Sequence, residues 1–222
     1  MKTLAKQRRL LCIIAIMCVL SGCVVERLLT FKRQMKTPTA AIDFSYPGVL
    51  RFNVPVLKME DIALLTGLEP SKVLGETASY YFIRPDVPNY SLTYTVVFMN
   101  DRLSVIDYPD EFDQLISATF ASQLLTLLGN AERPRNQLWN ITNNTNTRME
   151  SPSMQDIETI LGPPTFVTTS PNRVTLHYHY QHPIIGGHQR VHISLTYSEN
   201  NAGEKLSEVF IELPGRQWAI SI

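Results

Sequence analysis

Apolar residues run along this chain in three different rhythms. Residues 10–20 are eleven consecutive apolar positions, a helix of roughly 16 Å, about half the hydrocarbon core of a bilayer. Two later segments carry a helical rhythm and match each other. Met59, Asp61, Ile62 and Gly67 recur at the same offsets as Met154, Asp156, Ile157 and Gly162. Ile157, Ile160 and Leu161 fall at i, i+3 and i+4, one apolar face of a short helix. Each segment ends on a glycine and is followed by proline (Pro70; Pro163 and Pro164), which closes a helix and stops its continuation.

Behind each helix the rhythm changes to alternation, the mark of half-buried strands. The first set covers 80–83, 92–98 and 103–108, the last two joined by a turn at Asn100-Asp101. The second covers 174–180, 191–197 and 206–213, with a turn at 199–203. Between the sets lies a longer helical pattern over 110–128, with Phe112, Leu115, Ile116, Phe120, Leu124, Leu127 and Leu128 on one face. Asp110 or Asp113 would cap its start and Gly129 end it. The pattern predicts an α+β chain of two small units, each a helix and a three-stranded antiparallel meander, with a connecting helix. The expected divisions are a leader over 1–22, a tether over 23–46, a first unit over 47–139, a polar linker over 140–152 and a second unit over 153–222.

With 222 residues and 44% hydrophobic side chains, the chain can bury a core, which argues against global disorder. Its 20 basic and 20 acidic residues cancel, but Lys2, Lys6, Arg8 and Arg9 precede residue 23 and no acid does. Without that segment 16 bases face 20 acids, a balance of −4, so the basic surplus of a nucleic-acid binder is missing.

The basic start and the apolar stretch form an export signal too short to span a membrane. Leu20-Ser21-Gly22-Cys23 follows, and it resembles the lipobox of bacterial lipoproteins. That resemblance implies cleavage before Cys23, a diacylglycerol on its sulfur and an acyl chain on its new amino terminus. Small Ser21 and Gly22 suit close approach by a peptidase. Cys12 and Cys18 lie in the segment to be removed, so no second thiol would remain to form an internal disulfide. By the same resemblance Val24 favours a periplasm-facing position at the outer membrane. Residues 24–46 include Arg27, Lys32, Arg33 and Lys36, which read as a solvated tether or as contacts to anionic headgroups.

The second unit resembles the SmpA/OmlA, or BamE-type, domain of small outer-membrane lipoproteins. The residues that carry the likeness are Met154, Leu161-Gly162-Pro163-Pro164, Tyr178 and Tyr180, residues 193–197, and Leu206 with Val209. The likeness extends more loosely to 58–108, while Ser153 stands where the family has Gly and the first strand lacks Trp. It implies a noncatalytic accessory role in an envelope assembly, and a duplicated unit as in β-lactamase-inhibitor-like proteins.

No nucleophile elbow, phosphate loop, dinucleotide fingerprint, His-Glu-x-x-His or Cys-x-x-Cys occurs, and no enzyme is expected. All five histidines, His177, His179, His182, His188 and His192, fall within 16 residues. His177 and His179 should share a strand face with His192 opposite, leaving Tyr178 and Tyr180 for the core. A solvated or partner-facing stripe is the expectation. Metal ligation is not expected, and His177, His179 and His192 are the residues that could provide it. Asp107, Asp110, Glu111 and Asp113 read as caps, not as acid/base pairs. Trp139 and Trp218 read as core edges or partner anchors. The expected function is that of a lipid-anchored periplasmic scaffold, accessory to an outer-membrane or secretion assembly. It would use no cofactor beyond the covalent lipid, and its partners would be membrane lipid through Cys23 and an envelope protein, with neither nucleic acid nor a small-molecule substrate. The alternatives are a periplasmic metal-binding protein or enzyme on the His177–His192 strands, or an inhibitor of an envelope enzyme.

Overall fold

The computed structural model describes residues 24–109, 112, 117–131, 138–142, 151–200 and 203–222. The strands are β1 (Ile42–Asp43), β2 (Val49–Phe52), β3 (Lys72–Leu74), β4 (Thr77–Ile83), β5 (Ser91–Met99), β6 (Arg102–Asp107), β7 (Leu138–Thr142), β8 (Phe166–Ser170), β9 (Arg173–Ile184), β10 (Gly187–Asn200), β11 (Gly203–Leu213) and β12 (Arg216–Ser221). They form one twelve-stranded sheet in the order β1-β2-β6-β5-β4-β9-β10-β11-β12-β7, with β3 added to β4 and β8 to β9. This overturns the expectation of two small helix-plus-three-strand units. Two meanders are present, but Ile83 on β4 pairs with Gln181 on β9, and that contact makes them one sheet. Among the described residues every pairing is antiparallel except β12 with β7.

The helices are α1 (residues 24–36), α2 (Pro38–Ala41), α3 (Met59–Thr66), α4 (Ala118–Asn130) and α5 (Met154–Leu161). The offsets shared by α3 and α5 have a common cause. Asp61 Oδ2 accepts from the Lys58 N–H at 2.9 Å, and Asp156 Oδ2 accepts from the Ser153 N–H at 3.0 Å. Each thus satisfies a donor at its helix start. Gly67 and Gly162 adopt φ of 73° and 70°, and the Pro214 carbonyl occupies the space a Cβ on Gly67 would need.

The two halves also grip each other one residue beyond the Ile83–Gln181 pair. Arg84 sends Nη1 to the Leu161 carbonyl at 3.0 Å and Nη2 to the Pro163 carbonyl at 2.8 Å, at the end of α5. His182, in the corresponding position on β9, places Nε2 2.5 Å from the Glu69 carbonyl beyond α3. Each half therefore inserts a polar side chain into the turn that follows the other half's helix. Arg84 is 2% exposed. Its Nε and Nη2 donate to both oxygens of Asp86 at 2.8 and 2.6 Å, so its charge is paired where it is buried.

Three further expectations need correction. Residues 24–36, expected as tether, form a docked helix: Met35 is buried, and Leu28 and Phe31 pack on the main core. Arg27 makes a bidentate pair with Asp61 at 2.6 and 2.8 Å, and Asp61 is fully buried. Burial pulls the Asp61 carboxyl upward, but donors from Arg27 and Lys58 outweigh it and hold the pKa below the ordinary carboxylate value. The helix expected over 110–128 starts at Ala118, capped by Ser117, whose Oγ accepts from the Phe120 N–H at 3.0 Å. The caps assigned to Asp110 and Asp113 lie outside the described residues, as do Leu115 and Ile116. Gly129 lies within the helix and faces α1: a Cβ there would stand 2.5 Å from the Met35 carbonyl carbon. Finally, part of the expected linker is strand, since Asn140, Ile141 and Thr142 pair with Ala219, Ile220 and Ser221.

The main core gathers Leu57, Leu103, Leu176, Tyr178, Leu195 and Tyr197. A second cluster joins Phe120 and Leu127 of α4 to Ile141 and Ile220 of the β7–β12 pair. Among the described residues, no helix is long and apolar enough to cross a membrane.

Candidate functional site

On β9 and β10 the period-two alternation separates two chemistries. Leu176, Tyr178 and Tyr180 are buried, as are Val191 and Leu195. The intervening residues present histidine and hydroxyl groups on the other face. In register, His192 lies opposite His179 and Ser194 opposite His177. The flanking strands extend this face, with Phe166 of β8 beside His177, and Phe210 and Glu212 of β11 beside Ser194 and His192. The expected shared face of His177, His179 and His192 is what the pairing produces.

The side chains converge more closely than strand spacing requires. His177 Nδ1 lies 3.2 Å from His192 Nε2, and Ser194 Oγ lies 3.1 Å from each of these nitrogens. Thr168 Oγ1 is 3.1 Å from the other nitrogen of His177, and Glu212 Oε2 is 3.8 Å from the other nitrogen of His192. Phe166 stacks on the His177 ring with centroids 4.1 Å apart, and His179 meets His192 edge-on at 4.6 Å. Burial lowers the pKa of His177, and the neighbouring His192 and His179 lower it further. Burial and His179 lower His192 against the opposing pull of Glu212. Both rings are therefore held toward the neutral form.

A cleft of about 740 Å³ opens beside this cluster, with His179, His192, Gln189, Glu212, Pro85 and Pro214 in its wall. Ser194, His192 and Glu212 form a sequence of contacts that resembles a nucleophile, base and carboxylate. Ser194, however, sits mid-strand with partners on both sides, where main-chain amides are committed to the ladders and not gathered to hold an oxyanion. The geometry suits binding better than acyl transfer.

The other candidates are placed elsewhere. His182 is buried on the opposite face, stacked between Tyr80 and Phe82, with Nδ1 2.8 Å from the Tyr81 carbonyl. His188 is exposed near the β9–β10 turn. Asp107 ends β6, while Glu111, with Asp110 and Asp113, lies outside the described residues. Trp139 and Trp218 stack at 5.2 Å across the β7–β12 pair and pack against the α4 cluster. Cys23 also lies outside the described residues. Sequence reasoning missed Ser194, although its position two residues after His192 on an alternating strand was the available signal. It also missed Arg84 and the Arg27–Asp61 pair, for which local sequence carries no signal.

No protein-family model, curated protein or solved structure matches this chain.

Proposed function

We propose that this chain is a lipid-anchored, periplasm-facing protein of the outer membrane that binds an envelope protein through the histidine-bearing face of its sheet, as an accessory of an outer-membrane or secretion assembly. The anchor part of this reading rests on Leu20-Ser21-Gly22-Cys23 behind the basic and apolar leader. Acylation at Cys23 would confine the chain to a membrane and raise its effective concentration toward partners there.

The observation that carries the binding part is the character of the exposed face and its margins. Phe166 and Ile83 remain 45% and 43% exposed on the face that carries the imidazoles, the hydroxyls and Phe210. Aromatic groups interleaved with adaptable polar ones are the composition of protein-binding surfaces. Among the described residues the short strands β3 and β8 each have one sheet neighbour, and Val73 and Leu74 of β3 are exposed. An extended segment of a partner can add to such edges.

The test uses the full chain in cells with a photo-crosslinking residue in place of Phe166 or Ile83, and a control at Asn100 in the exposed β5–β6 turn. One and the same crosslinked protein from both face positions, reduced at Asn100 and lost in Cys23→Ser, is the expected result. Crosslinks independent of position refute the binding face. A Cys23→Ser variant with unchanged membrane fractionation and mature mass refutes the anchor.

A further inference from the structure

Three donor atoms on the β9–β10 surface stand at mutual separations that match the coordination face of a single metal ion. His177 Nδ1 and His192 Nε2 are 3.2 Å apart, and Ser194 Oγ is 3.1 Å from both. Donors held at about 2.0–2.1 Å from one cation lie roughly 2.9 Å apart at right angles and roughly 3.3 Å apart at tetrahedral angles. The observed triangle falls between these limits. We propose that His177, His192 and Ser194 bind one late first-row divalent ion, zinc or copper, on the histidine-bearing face of the sheet, where Ser194 is itself 7% exposed.

The surroundings fit this assignment. Imidazole nitrogen favours zinc, copper and nickel over magnesium and calcium. A ligating histidine needs an oxygen partner on its second nitrogen to fix the ring. Thr168 Oγ1 supplies one to His177 at 3.1 Å, and Glu212 stands 3.8 Å from the second nitrogen of His192. Phe166, stacked on His177, limits rotation of that ring. His179 lies directly across the ladder from His192 and is exposed, and the position beyond the triangle is left to water. Among the described residues, no three or more His, Cys, Asp or Glu side chains form a group that could hold a metal ion. The triangle differs in taking its third donor from a hydroxyl. This inference is independent of the anchor and of the protein partner.

Calorimetric titration of the full chain with zinc chloride alone, and electron paramagnetic resonance with copper(II), test it. One equivalent should bind, with nitrogen hyperfine structure in the copper spectrum and a raised thermal midpoint with zinc. His177→Gln and His192→Gln should each weaken binding about tenfold or more, and His188→Gln should leave it unchanged. Ser194→Cys, which puts a thiolate in the third position, should tighten zinc binding, a result that misfolding cannot imitate. Lack of saturable one-to-one binding, one-to-one binding that survives His177→Gln, or weaker zinc binding by a folded Ser194→Cys chain overturns the site.

Discussion

Replacing Arg84 by Met should be among the most destabilising single changes in this chain. The substitution keeps an apolar stem in a site that is 2% exposed but removes four hydrogen bonds, two to Asp86 and one each to the Leu161 and Pro163 carbonyls. It also removes a cation 5.4 Å from the Tyr178 ring centre and 5.8 Å from that of Tyr180. Breaking a buried charged pair from one side costs about 3–5 kcal/mol. Asp86 is 32% exposed in its side chain, so water can rehydrate its carboxylate and the lower end applies. A loss of about 3 kcal/mol at a urea slope of about 2–3 kcal/mol/M lowers the unfolding midpoint by roughly 1–1.5 M. Arg84→Lys keeps the charge but has one nitrogen in place of three, so its midpoint should fall between the two. Equilibrium urea unfolding followed by circular dichroism measures all three proteins. A Met variant within about 0.3 M of the parent, or a Lys variant no better than Met, refutes the assignment of Arg84 as the joint between halves.

The same pair sets an acid dependence. Hydrogen bonds from Arg84 lower the Asp86 pKa from 3.8 to about 2. At low pH the unfolded chain therefore takes up this proton first, and the contribution is complete above 3.8 and lost as pH falls through about 2. The stability gap between parent and Arg84→Met should shrink over that window, and a constant gap in titrated unfolding would contradict the pairing. Arg27→Ala strands the buried Asp61 carboxylate and should cost about 3 kcal/mol, with new protease cleavage within residues 24–36; an unchanged digestion pattern would show that α1 is held by other contacts. Gly129→Ala forces α4 away from the Met35 backbone and should cost about 1–3 kcal/mol, read as a lower thermal midpoint. Ser153→Ala removes the side chain that accepts from the Asp156 N–H at 3.1 Å and should cost about 1 kcal/mol, in the same assay. Tryptophan fluorescence, which reports Trp139 and Trp218, and circular dichroism should give coincident transitions, because one sheet unfolds as one unit; two separated transitions would restore independent halves.

Much of the local structure was legible. Met59–Thr66 and Met154–Leu161 could be read as helices because their periodicity, their Asp at the third helical position and their closing glycines all act within one or two turns of chain. The strands of both meanders showed in alternation, and that alternation put His177, His179 and His192 on one face and Tyr178 and Tyr180 in the core. The start of α4 was misjudged because Asp110 and Asp113 are as good caps by composition as Ser117. The strand at Leu138–Thr142 was missed because its polar flank reads as turn, and its parallel partner β12 lies at the other end of the second half.

By itself, then, the sequence determined the rhythm of the elements, the face on which each side chain would lie, and the basic, apolar and Leu-Ser-Gly-Cys order of the leader. Only the tertiary structure decided that Ile83 meets Gln181, that Arg84 and His182 cross into opposite halves, that Arg27 finds Asp61, and that Ser194 closes a triangle with His177 and His192. The division has a physical cause. Helix phase, capping and strand alternation are fixed by neighbours a few residues away, whereas sheet joining and donor convergence depend on groups far apart in the chain. Which of these pairings forms depends on the free energy of the whole packed sheet.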